Sequence, residues 1–232
     1  MKEVKALILC GGFGKRLRPL TETTPKPLLE IRSDFTILDK QILELQKADI
    51  KTVFLLIGYL GEKIKQRYGD NWRGTQINYC EEDKPLGTLG GIKNGLQQVD
   101  CDVVISNGDI VSDIDVSTFV KKAQSSDSLL TLVTTKLKSP YGILKIEGDK
   151  IIGFREKPVL DHFINGGIYY VKKESFPYFL EEYEDNSVEK TVFPKLAEEN
   201  MIGFYYEDVF WAAIDTIKDL EMTRKQFEKR LC

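Results

Sequence analysis

Short apolar runs alternate with amphipathic stretches along the first part of the chain. The apolar runs favour strands at residues 4–9, 52–57, 76–79, 102–106 and 129–134. Between the first two runs, Leu38, Ile42 and Leu45 share one face of a predicted helix. Strands that alternate with helices predict an α/β fold, in which a mainly parallel, Rossmann-like sheet is flanked by helices on both faces.

The later part of the chain has shorter elements. It predicts strands at residues 143–146, 150–154, 167–171 and 202–206, with Gly148 and Asp149 as a hairpin turn between the first two. Segments 172–182 and 188–199 are predicted to be helical, and Ile217, Leu220, Phe227 and Leu231 mark one face of a closing helix. We expect residues 1–232 to form a single domain, with a first half of about 1–135 and a second half of about 136–232 that supplies a small substrate lobe.

A glycine-rich, cationic loop follows the first predicted strand. It contains Gly11, Gly12, Gly14, Lys15, Arg16 and Arg18, with Lys26 a little further on. Glycines let backbone N–H groups approach an anion and Arg and Lys add full charges, so the loop predicts a phosphate site at the carboxyl edge of the sheet. A plain turn leading to a solvated basic face is the alternative. The Walker A spacing does not fit. The dinucleotide fingerprint does not fit either, which disfavours a nicotinamide-dependent dehydrogenase.

A second signal follows the predicted strand at 102–106. Gly108 and Asp109 come after this apolar run, so the carboxylate of Asp109 is expected at the same sheet edge as the glycine-rich loop. A carboxylate there can bind a hard divalent cation, whereas an ordinary turn aspartate is the competing interpretation.

The loop sequence Gly-Gly-x-Gly-x-Arg-Leu-x-Pro-Leu-Thr, with Pro-Lys-Pro after it, resembles the signature of the sugar-1-phosphate nucleotidylyltransferases, which usually have Thr in place of Lys15. The Glu-Lys-Pro run at 156–158 and the Asn-x-Gly run at 165–167 resemble later elements of that family. The resemblance implies transfer of a nucleotidyl group from a nucleoside triphosphate to a sugar 1-phosphate, with Mg²⁺ as cofactor. It also implies a nucleotide-binding first half and a sugar-phosphate-binding second half.

The same resemblance assigns roles to individual residues. The implied catalytic residues are Arg16, Lys26 and Lys157. The implied nucleotide-binding residues are Gly11, Gly12, Gly14, Lys15, Pro85, Gly87, Thr88 and Gly108. The implied sugar-phosphate-binding residues are Gly142, Glu156, Asn165 and Gly166, and the implied metal ligands are Asp109 and Asp215.

The segment from Trp211 to Asp215 departs from the commonest family pattern. Ala213 stands where many members have a metal-binding aspartate, and Asp215 follows two positions later. A two-residue step along a strand keeps a side chain on the same face, so Asp215 can substitute for the missing carboxylate. A helix N-cap at Asp215 is the competing interpretation, and a nucleotide-sugar-binding regulatory subunit would also tolerate Ala213.

Two segments bear on the choice of base. The Pro-Leu-Gly-Thr run at 85–88 resembles mannose- and heptose-1-phosphate guanylyltransferases, whereas the Trp-x-x-x-Asp-Thr run at 211–216 resembles glucose-1-phosphate cytidylyltransferases. We favour guanylyl transfer of the GDP-mannose type, with cytidylyl, thymidylyl or uridylyl transfer to glucose 1-phosphate as alternatives.

Composition excludes several other classes. A net charge of −3 lacks the basic excess of a general nucleic-acid binder, and no apolar run is long enough to cross a membrane. The N-terminus has no signal-peptide pattern, which predicts a cytoplasmic protein. Cys10, Cys80, Cys101 and Cys232 are too scattered for a zinc cage, and His162 has no visible partners for a catalytic triad. The chain ends at Cys232, so no hexapeptide-repeat β-helix is expected. Assembly into a homo-oligomer is compatible with the sequence.

Overall fold

The computed structural model describes residues 2–228, so Leu231 and Cys232 lie outside the described residues. The strands are β1 (Val4–Leu9), β2 (Glu30–Arg32), β3 (Phe35–Thr36), β4 (Thr52–Ile57), β5 (Asn71–Trp72), β6 (Thr75–Glu81), β7 (Asp102–Asn107), β8 (Ile110–Ser112), β9 (Leu130–Lys138), β10 (Ile143–Glu147), β11 (Lys150–Arg155), β12 (Val159–Val171), β13 (Ile202–Tyr206) and β14 (Trp211–Ala213). The helices are α1 (Leu20–Thr23), α2 (Ile37–Lys47), α3 (Gly61–Tyr68), α4 (Gly87–Leu96), α5 (Val116–Ser125), α6 (Phe176–Leu180), α7 (Val192–Glu198) and α8 (Ile217–Glu228).

One sheet of eight strands organises the molecule, in the order β13-β9-β12-β7-β1-β4-β6-β5. β1 pairs in parallel with both β4 and β7, β4 pairs in parallel with β6, and β13 pairs in parallel with β9. β12 runs antiparallel to both of its neighbours, and β5 is antiparallel to β6. The expected α/β fold with a mainly parallel sheet and flanking helices is confirmed.

Alternating side chains of the central strands enter two separate cores. Ala6 and Ile8 of β1 pack with α2, α3 and α5 on one face, whereas Leu7 packs with α4, α6 and α7 on the other. All three side chains are fully buried. Because both faces are covered, the central strands are continuous apolar runs, which is why their sequence signal is strong.

The order of the strands places a crevice beside the end of β1. The chain moves from β1 to β4 and β6 on one side and then returns to place β7 on the other side of β1. Leu9 and Asn107 are register partners, so the loops after β1 and β7 leave the sheet next to each other. Ligands of open α/β sheets bind in such crevices, at the carboxyl ends of the strands.

The second half of the chain extends the main sheet and adds a hairpin. β9, β12 and β13 belong to the eight-stranded sheet, while β10 and β11 pair only with each other through the predicted turn, where Gly148 has φ +59°. The predicted helices at 172–182 and 188–199 are shorter in the structure, because 3-10 turns and irregular segments occupy their ends. The division into two halves and a substrate lobe stays a prediction.

None of the helices within residues 2–228 combines the length and the apolar character that crossing a membrane requires.

Candidate active site

A cavity of about 440 Å³ opens at the carboxyl ends of β1, β6 and β7. All the predicted nucleotide-binding residues line it, together with Arg16, Lys26, Asp109 and Asp215. Lys157 and the four predicted sugar-phosphate-binding residues do not line it. The structure therefore brings together the phosphate and metal parts of the predicted site and leaves the sugar part outside this cavity.

The glycine-rich loop is held in place by hydrogen bonds to the carbonyl of Gly14. Gly14 has φ +58°, and a Cβ there would lie 2.9 Å from Cγ2 of Thr21, so a side chain would be both strained and obstructed. The hydroxyl of Thr21 and the N–H of Leu17 each donate to the carbonyl of Gly14 at 2.8 Å. This turn starts the short 3-10 helix Lys15–Leu17 at the rim of the cavity.

Lys26 joins the two predicted metal ligands. Its Nζ donates to Oδ2 of Asp109 at 2.7 Å and to Oδ1 of Asp215 at 3.0 Å, and its side chain is only 14% exposed. Arg16 donates from Nη2 to the same Oδ1 of Asp215 at 2.8 Å, from a side chain that is 70% exposed. Arg16, Asp215, Lys26 and Asp109 therefore form a chain of contacts in which positive and negative charges alternate.

Backbone hydrogen bonds place the two carboxylates side by side. The N–H of Gly108 donates to the carbonyl of Leu9 at 3.0 Å, and a Cβ on Gly108 would lie 2.3 Å from that oxygen. Only glycine fits at position 108 without moving the strands. The N–H of Ile214 donates to the carbonyl of Asp109 at 2.9 Å, next to the antiparallel pairing of β14 with β8. Asp215 consequently emerges beside Asp109.

The N-cap interpretation of Asp215 is wrong. Helix α8 is capped by Thr216, whose Oγ1 accepts from the N–H of Asp219 at 3.3 Å, while Oδ2 of Asp219 accepts from the N–H of Thr216 at 2.8 Å. This reciprocal arrangement is a capping box. It leaves the Asp215 side chain free to face Lys26 and Arg16.

The donor set fits a hard divalent cation. Asp109 and Asp215 both reach one ammonium nitrogen, so a cation at this edge of the sheet could take an oxygen from each. Mg²⁺ is typically held by one or two carboxylates, with water and substrate phosphates filling its other positions. Within residues 2–228, three or more acidic, His or Cys side chains do not gather around any one point, so water and phosphate oxygens would complete the coordination.

Glu82 is a site residue that sequence reasoning did not assign. Its carboxylate lines the cavity, and Cβ atoms placed on Gly11 and Gly91 would lie 3.4 Å and 2.6 Å from its oxygens. The two glycines thus leave room for it. Burial raises the pKa of Glu82, and the N–H of Leu86, 3.4 Å from Oε2, opposes that rise. Among the described residues no cation pairs with this carboxylate. Its position two residues after buried Cys80 was the available signal.

Hydrogen bonds to the segment at 186–189 anchor the predicted base-binding loop at 85–88. The hydroxyl of Thr88 donates to Oε2 of Glu189 at 3.1 Å and accepts from the N–H of Val188 at 3.0 Å. The N–H of Leu89 donates to the carbonyl of Asn186 at 2.9 Å. The Thr88 hydroxyl therefore already has protein partners that fix the loop against the segment at 186–189.

The predicted sugar-phosphate-binding residues form two groups outside the cavity. A Cβ on Gly142 would lie 3.1 Å from Oε2 of Glu156, whose Oε1 is 3.4 Å from Nζ of Lys157. Asn165 and Gly166 lie inside β12, where Asn165 donates to the Tyr169 hydroxyl at 3.0 Å. The carbonyl of Gly166 accepts from Trp211 Nε1 at 2.8 Å. The second group thus contacts β14, the strand that leads to Asp215.

Among the described residues that line the cavity, Cys10 carries the thiol to consider as a covalent nucleophile. Burial strongly raises the pKa of this thiol, which disfavours the reactive thiolate. A cavity lined by glycines, cations and three carboxylates, at the crevice of a mainly parallel sheet, defines an α/β protein that handles phosphate groups.

Comparison with known proteins identifies the family. A family model described as nucleotidyl transferase matches residues 5–230. Mannose-1-phosphate guanylyltransferase catalytic subunit beta of Danio rerio is 34% identical over 249 residues, covering 98% of this chain and 68% of that protein. D-glycero-alpha-D-manno-heptose 1-phosphate guanylyltransferase of Campylobacter jejuni is 36% identical over 206 residues, covering 85% and 86%. The structure of HddC from Yersinia pseudotuberculosis matches with a TM-score of 0.73 and 25% identity, covering 98% and 100%.

The chain therefore belongs to the nucleotidyl transferase family, which confirms the sugar-1-phosphate nucleotidylyltransferase resemblance of its sequence. Members of this family generally use divalent metal ions. The pair formed by Asp109 and Asp215 is the candidate metal site in this chain.

Proposed function

We propose that the chain transfers a guanylyl group from GTP to a sugar 1-phosphate of the manno type, giving a GDP-sugar and pyrophosphate. The Danio rerio and Campylobacter jejuni relatives, both named as guanylyltransferases, support this choice over cytidylyl, thymidylyl or uridylyl transfer. The observation that carries the proposal is the carboxylate of Glu82 on the cavity wall, which has no cation partner among the described residues.

A carboxylate distinguishes guanine from uracil and thymine by its hydrogen-bonding pattern. Guanine presents two adjacent donors, N1–H and the N2 amino group, and an ionised carboxylate offers two acceptor oxygens that match them. Uracil and thymine present a single N–H between two carbonyl oxygens, which would face the carboxylate with like partial charges. Glu82 therefore favours guanine by attraction and disfavours uracil and thymine by repulsion.

The cations of the cavity suit the phosphate chemistry. The attacking phosphate oxygen of a sugar 1-phosphate is already an anion at neutral pH, so catalysis depends on positioning and on neutralising charge. Arg16 and Lys15, at the rim, would stabilise the departing pyrophosphate, while Lys26, deeper in the cavity, would contact the α-phosphate.

Asp109 and Asp215 would hold Mg²⁺, the divalent ion that we assign to this site. When bound, this ion would neutralise phosphate charge and orient the phosphate groups for in-line displacement. Lys157 would contact the phosphate of the sugar phosphate, and Gly142, Glu156, Asn165 and Gly166 would surround the sugar. A cytoplasmic location and assembly into a homo-oligomer stay predictions.

A substrate matrix tests the proposal. Pyrophosphate release is measured with GTP, ATP, CTP, UTP and dTTP, each with mannose 1-phosphate, a manno-heptose 1-phosphate and glucose 1-phosphate, in the presence of Mg²⁺. We expect the highest kcat/KM with GTP and a manno sugar. A clear preference for CTP, UTP or dTTP would refute guanylyl specificity, and no turnover with any pair would favour the regulatory-subunit alternative.

The role of Glu82 is tested with a neighbouring carboxylate as the control. We expect Glu82→Gln to lower kcat/KM for GTP by about tenfold to a hundredfold, since a bidentate contact to a base is worth about 1–3 kcal/mol. Glu81→Gln should have little effect, because Glu81 is 60% exposed and pairs with Lys65 on the surface. Equal effects of Glu82→Gln and Glu81→Gln on kcat/KM for GTP would show that Glu82 does not recognise the base.

A further inference from the structure

Gln41 is a polar side chain on the apolar face of α2. It is 8% exposed and lies among Leu38, Ile42 and Leu45, which are buried in the core. The helical spacing of these positions would accommodate an apolar residue at 41 equally well. A buried amide is stable only where its polar atoms find partners, so its hydrogen bonds show what this side chain contributes.

The amide nitrogen of Gln41 bridges the turn that carries Asp109. Nε2 donates to the carbonyl of Asn107 at 2.8 Å and to the carbonyl of Ile110 at 2.8 Å. Carbonyl oxygens only accept, so the amide must present its NH₂ group to both. These two carbonyls flank Gly108 and Asp109. Gln41 thus fixes both ends of the link between β7 and β8.

The amide oxygen of Gln41, unlike its amide nitrogen, makes no hydrogen bond to the described residues. This oxygen, Oε1, is buried. Gln41 and Ser106 both line a small cavity of about 30 Å³, which is room for a water molecule. The two donated bonds are therefore what distinguishes this side chain from an apolar one of the same size.

The turn held by Gln41 also supports the second carboxylate. The carbonyl of Asp109 accepts from the N–H of Ile214, and β8 pairs with β14 immediately before Asp215. A shift of the turn would move Asp109 directly and Asp215 through this pairing. Because both side chains contact Lys26, the whole charge cluster depends on the position of the turn.

We propose, on the basis of the function proposed above, that Gln41 is a positioning residue for the metal and phosphate site. It holds the main chain of Gly108 and Asp109 so that the two carboxylates face one point. Its loss should weaken binding of a metal-nucleotide complex much more than binding of the nucleotide alone.

Another glutamine of the same helix provides the control. Gln46 also donates from Nε2 to two acceptors, the carbonyl of Arg73 at 2.9 Å and the hydroxyl of Thr75 at 2.6 Å. Those acceptors lie at the turn between β5 and β6 and do not line the active-site cavity. Gln46→Leu therefore removes a similar pair of hydrogen bonds away from the site.

The test compares Gln41→Leu with Gln46→Leu in the full chain by calorimetric titration with GTP, with Mn²⁺ or with a chelator, and by thermal melting. We expect Gln41→Leu to weaken binding of Mn²⁺–GTP by about tenfold or more, as is typical for partners of metal ligands, and to change metal-free binding little. Gln46→Leu should leave both affinities unchanged. Equal affinities for Gln41→Leu and the unmodified chain would overturn the proposal, as would an equal loss in Gln46→Leu.

A second variant covers a failure of Gln41→Leu to fold. Gln41→Met fills the same space with a more adaptable side chain and also lacks the NH₂ donor, so we expect the same loss of Mn²⁺–GTP affinity. Normal affinity in a folded Gln41→Met would overturn the proposal. If the substrate matrix shows another nucleotide, guanylyl specificity fails, and the same titrations with that nucleotide still decide the role of Gln41.

Discussion

Asp215 and Thr216 are adjacent residues that should respond to mutation in opposite ways. Asp215 contacts Lys26 and Arg16, whereas Thr216 caps α8 together with Asp219. We expect Asp215→Asn to alter metal dependence with little change in stability. Thr216→Ala should lower stability without altering metal dependence.

The magnitudes follow from the exposure of the groups. Asp215 is 34% exposed and one of its partners, Arg16, is 70% exposed, so their ion pair should contribute less than about 1 kcal/mol to the free energy of unfolding. Loss of a threonine cap costs about 1 kcal/mol, or about 2–4 °C of Tm for a chain of this size. Loss of one of two metal carboxylates should raise the Mg²⁺ concentration for half-maximal activity by at least about tenfold, since even partners of metal ligands are worth that much.

A magnesium titration of turnover and a thermal melting curve on each variant measure both quantities. Thr216→Ser, which keeps the capping hydroxyl, is the control for the cap and should match the unmodified chain in both measurements. An unchanged titration for Asp215→Asn would refute the assignment and leave Asp109 as the single protein carboxylate of the metal site. A shifted titration for Thr216→Ala would mean that the helix end, rather than the Asp215 side chain, controls metal binding.

Two further changes probe the cations. Arg16→Ala should lower kcat by about a hundredfold, typical of losing one preorganised charge contact, and leave the melting curve unchanged because the side chain is 70% exposed; near-normal turnover would remove this residue from the leaving-group site. Lys157→Ala should chiefly raise KM for the sugar 1-phosphate. Lys26→Ala should also impair use of the nucleotide, because Lys26 lines the cavity and Lys157 does not. Equal effects of both on the two KM values would contradict this division.

The central strands were predictable because their sequence signal is local. β1 and β4 have the bounds expected from their apolar runs, at 4–9 and 52–57, and so does the edge strand β13, at 202–206. Strands covered on both faces need uninterrupted apolar residues, and such runs are visible without any knowledge of their neighbours. The three-residue strands β8 and β14 carry no such signal, because their pairing depends on residues about a hundred positions apart.

The candidate site was predictable as a set of residue types and not as a set of contacts. The glycine-rich loop indicates a phosphate site and the Gly-Asp pair indicates a metal site, and each pattern is only a few residues long. The spacing of Thr216 and Asp219 in the sequence is also that of a capping box, and it would have indicated that Thr216, rather than Asp215, caps the helix. Glu82 stands between Glu81 and Asp83, and its spacing of two residues from Cys80 was the sequence signal for which of these carboxylates turns inward.

The position of Lys26 explains how carboxylates from distant parts of the chain can share one site. Asp109 follows β7 and Asp215 follows β14, and two carboxylates this close would repel each other without a cation between them. The Lys26 ammonium, only 14% exposed, supplies that charge in the protein itself. If a divalent ion and a triphosphate bound together, they would bring opposite charges to both partners, so Lys26 would be able to contact phosphate and the two carboxylates to hold the metal. In the proposed function, the same three side chains would stabilise the folded chain when paired with one another and would bind phosphate and metal during the reaction.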